Sequence, residues 1–331
     1  TTPLLEPVGA AQGLQTGLGT GISFFNPNPE VSKQMRYQIG IQRELPGGIL
    51  FEAMYVGNRG YDIEIGRNIN ALPIQYLNTD TSRTAAMTAN NTLLGTGIAN
   101  PFLGNTAFTG TGFANATIAR SQLLRPFVAF GDINTTVNDG KSWYNSGQFT
   151  LTKRMVAGFT GQMSYTWSKW IQQTEYLNAA DPTPTKMISD QDVPHRVSFN
   201  FTYALPFGKG AFFASDANGV LNGIIGGWQL SGIYSYQTGF PVAFGTNAFL
   251  VSNDSIGINS TNTSAWFRTS VFASVFNTSA TNATPVSHVR TLPFRFSDVR
   301  RDSINNFDFS LLKDIRFSES MKIRLTLELY N

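Results

Sequence analysis

The chain has two histidines, His195 and His288. His195 follows Asp190 and Asp192 in DQDVPH, so the side-chain types of a carboxylate–imidazole metal site lie together. The competing reading is a charged loop above a sheet, with Arg196 leading into a strand, and it carries more weight than a metal centre. Asp254 in SNDS and Asp308 in NFDF read as turn or strand groups, because neither sits in anything like a twelve-residue calcium loop. LPFGKG at 205–210 holds a Gly-Lys pair but lacks the strand–GxxxxGK–helix setting of a phosphate loop. Enzyme chemistry needs a nucleophile, a base and an orienting partner that converge. No such trio can be nominated, so the expectation is no catalytic residue, no metal and no cofactor.

What remains are polar groups that bind without reacting, and strands must carry them. Val197, Phe199, Phe201, Tyr203 and Leu205 alternate with Arg196, Ser198, Asn200, Thr202 and Ala204. A period of two is a strand pattern. Residues 159–169 alternate in the same way, with Phe159, Gly161, Met163, Tyr165 and Trp167 against Thr160, Gln162, Ser164, Thr166 and Ser168. Further candidate strands are 34–42, 49–57 (where Glu52 interrupts an apolar run), 144–153, 227–237, 306–314 and 322–330. Together these segments give one polar set, Arg36, Gln38, Gln42, Gln148, Gln162, Arg196, Asn200 and Gln229. The facing aromatic set is Tyr165, Trp167, Phe199, Phe201, Trp228 and Tyr236, with Trp170 beside them near a strand end.

Composition decides what the aromatic face meets. The 331 residues are only 14% charged, with 31 glycines and 26 phenylalanines, against about 25% charge in soluble domains. A formal charge of +3 without a basic block makes no case for nucleic acid. Zero cysteines exclude disulfides and thiolate metal sites. No apolar run reaches the roughly 18 residues of a spanning helix, but a barrel strand crosses with about 9–11. The opening TTPLLEPVGA has neither the basic start nor the apolar core of a signal peptide.

The strands are joined alternately by short and long segments, the long ones at about 58–141, 171–193 and 239–303. These are rich in Asn, Ser, Thr and Gly; Asn259 and Asn262 in the last read as loop composition rather than glycosylation sites. Short turns at one edge and long loops at the other are the arrangement of an outer-membrane barrel. A Lys or Arg facing lipid at mid-membrane costs roughly 2–4 kcal/mol, and Arg36, Arg196, Arg324 and Glu328 all sit opposite the aromatics. The polar set is therefore expected to face a lumen and the aromatic set to face lipid or form interfacial girdles. The alternative for the aromatics is the core of a soluble sandwich. The expected fold is all-β: an antiparallel transmembrane β-barrel portion with short periplasmic turns and long extracellular loops, residues 1–31 an extracellular segment and 32–331 the partial barrel.

The sequence also resembles a known family. GIQRELPGGILFEAMYVGNRG (40–60), NPFLG (100–104), LLRPF (123–127), YNSGQFTLTKRMVAGFTGQMSYTWSK (144–169), DQDVPHRVSFNFTYALPFGKG (190–210), GWQLSGIYSYQTGFP (227–241), WF (266–267) and NFDFSLLKDIRF (306–317) occur in the order found in TonB-dependent outer-membrane receptors. Within that family the resemblance is to the Oar-like branch, which carries a carboxypeptidase-regulatory-like domain. The resemblance spans about 30–331 and is weakest in the long loops. It implies eight strands of a 22-strand barrel, about strands 14–21, in the bacterial outer membrane. It also implies a plug and a TonB-binding segment that this chain does not show, so that the TonB system, the remaining strands and outer-membrane lipid are the expected partners. Oar-like cargo is large or proteinaceous, which makes a siderophore no default. A piece of a longer receptor and one chain of a split receptor both fit. A surface adhesin or matrix module without transport, and a passive porin, stay open as alternatives.

Overall fold

The computed structural model describes residues 12–79, 85–245, 248–250, 256, 267–268, 272–274, 289–316 and 321–331. His288, Asp254, Asn259, Asn262 and Trp266 lie outside the described residues.

Eight strands form the body of one antiparallel sheet in chain order. They are β1 Lys33–Leu45, β2 Ile49–Asn68, β3 Ile133–Val156, β4 Phe159–Glu175, β5 His195–Ala204, β6 Trp228–Gln237, β7 Ile304–Arg316 and β8 Lys322–Leu329. Each pairs with the next, so the sheet is a continuous meander. Among the described residues, β1 and β8 end the sheet and are not paired with each other. Two short strands attach to it: Ile22–Ser23 runs parallel to the start of β3, and Thr185–Ile188 pairs with the end of β4. No helix is long and apolar enough to cross a membrane, which says nothing of a β-barrel.

Several strands outrun their alternating segments. β2 continues to Asn68 and β3 begins at Ile133, so the ladder enters the stretch read as loop from both sides. The reason is visible in the register. It shifts between Gly60 and Ile63 and again between Ile63 and Ile65, and Asp62 takes a positive φ of 53°. Each bulge reverses which side chains share a face, so a period-two pattern cannot be read across them although the hydrogen bonds persist.

β1 meets β2, β3 meets β4, β5 meets β6 and β7 meets β8 at one end of the sheet, the first three pairs through 46–48, 157–158 and 205–227. The chain passes from β2 to β3, from β4 to β5 and from β6 to β7 at the other end. The 205–227 connection is longer than a turn and holds a helix, Gly219–Ile225. At the opposite end the long connections have cores of their own. Phe102, Phe108 and Phe113 cluster with Ile118, their ring centroids 4.8–5.7 Å apart. The Asn100 side-chain amide donates to the carbonyls of Phe113 and Asn115 at 2.6 and 2.7 Å, which anchors the NPFLG island. Asn70, fully buried, donates to the carbonyls of Phe127, Phe130 and Gly131 and accepts from the Phe127 N–H, which fixes the LLRPF island to the end of β2. Asn side chains suit this work because one amide can replace several missing backbone partners.

Candidate binding surface

Residues directly opposite one another in an antiparallel ladder point to the same side. The registers can therefore be followed from β1 to β8. One face carries Tyr37, Tyr55, Phe149, Tyr165, Val197, Tyr236 and their neighbours along each strand. The other carries Gln38, Val56, Ser146, Ser168 and, further along, Asn200, Ser231 and Ser310. All eight residues of the predicted polar set, Arg36, Gln38, Gln42, Gln148, Gln162, Arg196, Asn200 and Gln229, fall on this second face. All six of the aromatic set, Tyr165, Trp167, Phe199, Phe201, Trp228 and Tyr236, fall on the first. Glu52, which disturbed the reading of its strand, sits on the polar face between Gln42 and Thr150. Met54, Val56, Ile233 and Leu312 are apolar interruptions of the polar face.

Trp170 departs from its expected place. It pairs with Tyr144 on the polar face, as the parity of its strand requires, because even-numbered residues from 160 onward share the side of Gln162. With Gln34, Asn58, Ser142 and Tyr144 it lines an open cleft of ≈ 520 Å³. The Tyr144 and Trp170 rings meet edge to face at 6.2 Å, and the indole N–H donates to Ser142 Oγ at 2.9 Å.

Trp170 is held from behind. Its backbone N–H donates to Asp192 Oδ1 at 2.5 Å. Asp192 is fully buried, and its Oδ2 accepts from Arg300 at 2.6 Å. Arg300 also donates to the carbonyls of Asp192 and Gly239. Nearby, Arg295 pairs with Glu175 at 2.5 Å and donates to the Ile188 carbonyl. Arg290 donates to the carbonyls of Phe244, Gly245 and Leu292, and burial lowers its pKa from the ordinary guanidinium value. Arg295 and Arg300 of one long connection thus clamp residues of β4 and of the 176–194 connection, while Arg290 ties together two parts of its own connection. Apart from Leu292, these partners lie far away in sequence, so spacing carried no signal of them.

His195 does not join a metal site with Asp192, whose two oxygens are engaged as above. Its Nδ1 lies 2.9 Å from the Tyr165 hydroxyl, with the two rings stacked at 5°, on the apolar face opposite Trp167. Asp308 faces Ile233 on the polar face and accepts from the Asn306 amide at 3.2 Å. Among the described residues no three His, Asp or Glu side chains gather in a metal-binding group. The surface offers amides, hydroxyls, guanidinium groups and aromatic edges: groups that hydrogen-bond and stack.

Charge is also distributed along the apolar face. Lys153, Arg43 and Lys313 lie toward the end of the 46–48 turn, and Arg59, Lys169 and His195 toward the long connections. Between them, among the described residues, that face carries no ionisable acid or base other than tyrosine. From Gly161, opposite Lys153, to Lys169 is eight residues of strand, roughly 27 Å at ~3.4 Å per residue, or roughly 20 Å of height at a barrel tilt of 35–45°. That is comparable to the apolar band of about 25 Å of a transmembrane barrel.

A sheet with one aromatic belt free of charge and one polar face is what an outer-membrane β-barrel wall requires. The whole chain, residues 1–331, matches the outer membrane beta barrel domain family, and the protein belongs to that family. This places it in the bacterial outer membrane and fits a non-enzymatic role. No curated protein matches it. Among solved structures it is similar to the outer-membrane transporter YddB from Escherichia coli, at 10% identity and a TM-score of 0.40, covering 95% of this chain and 30% of that one. It is also similar to the FrpB iron transporter from Neisseria meningitidis (F3-3 variant), at 9% identity and a TM-score of 0.38, covering 93% of this chain and 28% of that one. The chain therefore spans less than a third of either transporter.

Proposed function

We propose that this chain is part of the barrel wall of a TonB-dependent receptor of the Oar-like branch, its polar face lining the lumen and its aromatic face meeting lipid. The observation that carries the proposal is the segregation of faces, held in register through eight strands and flanked, among the described residues, by two unpaired edges. Backbone groups cannot stay unpaired in hydrocarbon, where each costs several kcal/mol, so further strands complete the wall. The ordered motifs from 40–60 to 306–317 supply the branch. In this reading the Tyr144–Trp170 cleft sits at the outer mouth of the lumen, and the arginine-clamped connections are a shaped outer surface for a large or proteinaceous cargo. The wall selects and guides; the driving step belongs to a plug and a TonB-binding segment in other parts of the receptor.

The test uses full-length protein extracted from outer membranes and the isolated periplasmic domain of TonB as the probe. The receptor reading expects the two to co-purify, and deletion of the segment preceding the plug to abolish that association. An adhesin or a passive porin expects no such association, and its absence would falsify the receptor reading.

A further inference from the structure

The 205–227 connection is not the minimal turn that its end of the sheet needs. It displays Phe207, Phe212, Phe213, Val220, Leu221 and Ile224 to the outside, with Phe212 85%, Val220 78% and Ile224 64% exposed. These side chains do not lack order. Phe213 stacks on Phe207 at 5.4 Å and meets Phe212 edge-on at 4.9 Å. The helix Gly219–Ile225 is capped at its start by Asn218 Oδ1, which accepts from the Leu221 N–H at 2.9 Å. Asn222 Oδ1 accepts from the Lys209 N–H at 2.7 Å and ties the helix back to LPFGKG.

The helix end shows which way this folded segment leans. Trp228 Nε1 donates to the Ile224 carbonyl at 2.9 Å. Lys313 Nζ donates to the Gly226 carbonyl and lies 5.3 Å from the centre of the Trp228 ring. Lys313, only 4% exposed, and Trp228 are cross-strand partners on the apolar face. Two side chains of that face therefore take up carbonyls at the end of the helix and hold it to the apolar side of the rim. This also accounts for a lysine on an otherwise apolar surface: its charge is met by a carbonyl and an aromatic ring instead of water.

We propose that residues 205–227 form a lipid-interface foot, the aromatic trio and the Val220–Leu221–Ile224 ridge inserting into the headgroup–acyl boundary of the leaflet next to the short turns. The inference rests on the reading that the aromatic face meets lipid. Two observations select a bilayer as the occupant. The exposed apolar surface is continuous, through Trp228, with the aromatic belt of the wall. Trp228, half-buried, also stands at the edge of that belt and carries the helix end, the position in which an indole favours the water–lipid boundary.

The chain has no cysteine, so with any cysteine elsewhere in the full-length protein replaced, single cysteines carrying nitroxide labels are placed at 220, 224, 212, 201 and 200. The bilayer is phosphatidylethanolamine with phosphatidylglycerol, and the readout is collision with oxygen against collision with a water-soluble nickel chelate. The expected result is oxygen-dominated collision at 212, 220, 224 and 201, shallower at the first three than at 201, and nickel-dominated collision at 200. Nickel-dominated collision at 212, 220 and 224 with oxygen dominance at 201 overturns the foot and leaves the wall reading standing. Protection from both quenchers at 220 and 224 means a protein covers them, and also overturns it. Nickel dominance at 201 overturns the wall reading and the foot with it.

Discussion

Phe201 and Asn200 are neighbours in the chain and lie on opposite faces of the sheet. Phe201 lies on the face of Gly161 and Gly232; Asn200 lies on the face of Gln162 and Ile233. On the proposed assignment of sides, an arginine at 201 would place a charge in hydrocarbon, at about 2–4 kcal/mol near mid-membrane, whereas one at 200 would be hydrated in the lumen. Phe201→Arg is therefore expected to reduce the heat-modifiable, membrane-inserted fraction on unboiled gels, and Asn200→Arg to leave it near the parent level. Equal defects would reverse or abolish the assignment of sides. Asp192 makes a different claim. Its carboxylate joins Trp170 to Arg300 across three segments, and breaking a buried ion pair costs about 3–5 kcal/mol because the partner is left uncompensated. Asp192→Asn should speed hydrogen exchange and proteolysis within 176–194 and 289–303 while the strands keep their protection. Unchanged exchange in both segments would show that the clamp holds nothing.

At the level of elements, alternation in the sequence made the central strands and the membership of both faces legible, because lipid or core on one side and water on the other impose a period of two. It made less of the strand ends: β2 and β3 run past their alternating parts through bulges that reset parity. The loop cores were not legible either, since Asn70, Asn100 and the three arginines act through partners that spacing does not mark. Nor was the helix at 219–225, a single short stretch between glycines. The aromatic ladders depend on glycine as well. A Cβ on Gly232 would stand 2.6 Å from Phe201 Cε1 and 3.3 Å from Phe307 Cε2, and one on Gly57 would stand 2.2 Å from Tyr37 Cζ. The ring of one strand lies over the bare backbone of the next, which covers the ladder hydrogen bonds. Gly232→Val should cost about 1–3 kcal/mol through overpacking, read as a lower midpoint of urea unfolding in bilayers. Gly66→Val, with open space around its Cβ, is the control and should shift the midpoint less. A larger loss at 66 than at 232 would contradict this account of the ladders.

For the whole molecule the decisive question is what lies beside β1 and β8. Both are exposed along nearly their whole length, Ile39, Ile41, Leu325 and Leu327 among the most open apolar residues of the sheet. Their outer backbone edges are what a membrane cannot leave unpaired. Closing β1 on β8 would satisfy them, but would give an eight-strand barrel whose interior is just wide enough for side chains to fill, leaving no passage for the cleft and loops to serve. In the proposed reading, flanking strands of the same receptor satisfy the edges and widen the lumen together. Cysteines placed at 39 and 325 in the full-length protein, oxidised in intact outer membranes, are therefore expected not to form an intramolecular disulfide, since a bridge needs Cα atoms within about 7 Å. A positive control pairs 39 with 55, which face each other across the β1–β2 ladder. Alongside, native mass spectrometry of the protein from its source should show a species heavier than the 36.3 kDa of this chain. A bridge between 39 and 325 formed as readily as the control, in a stable 36.3 kDa species, would mean the wall closes on itself, and the receptor reading would give way to that of a small self-contained barrel.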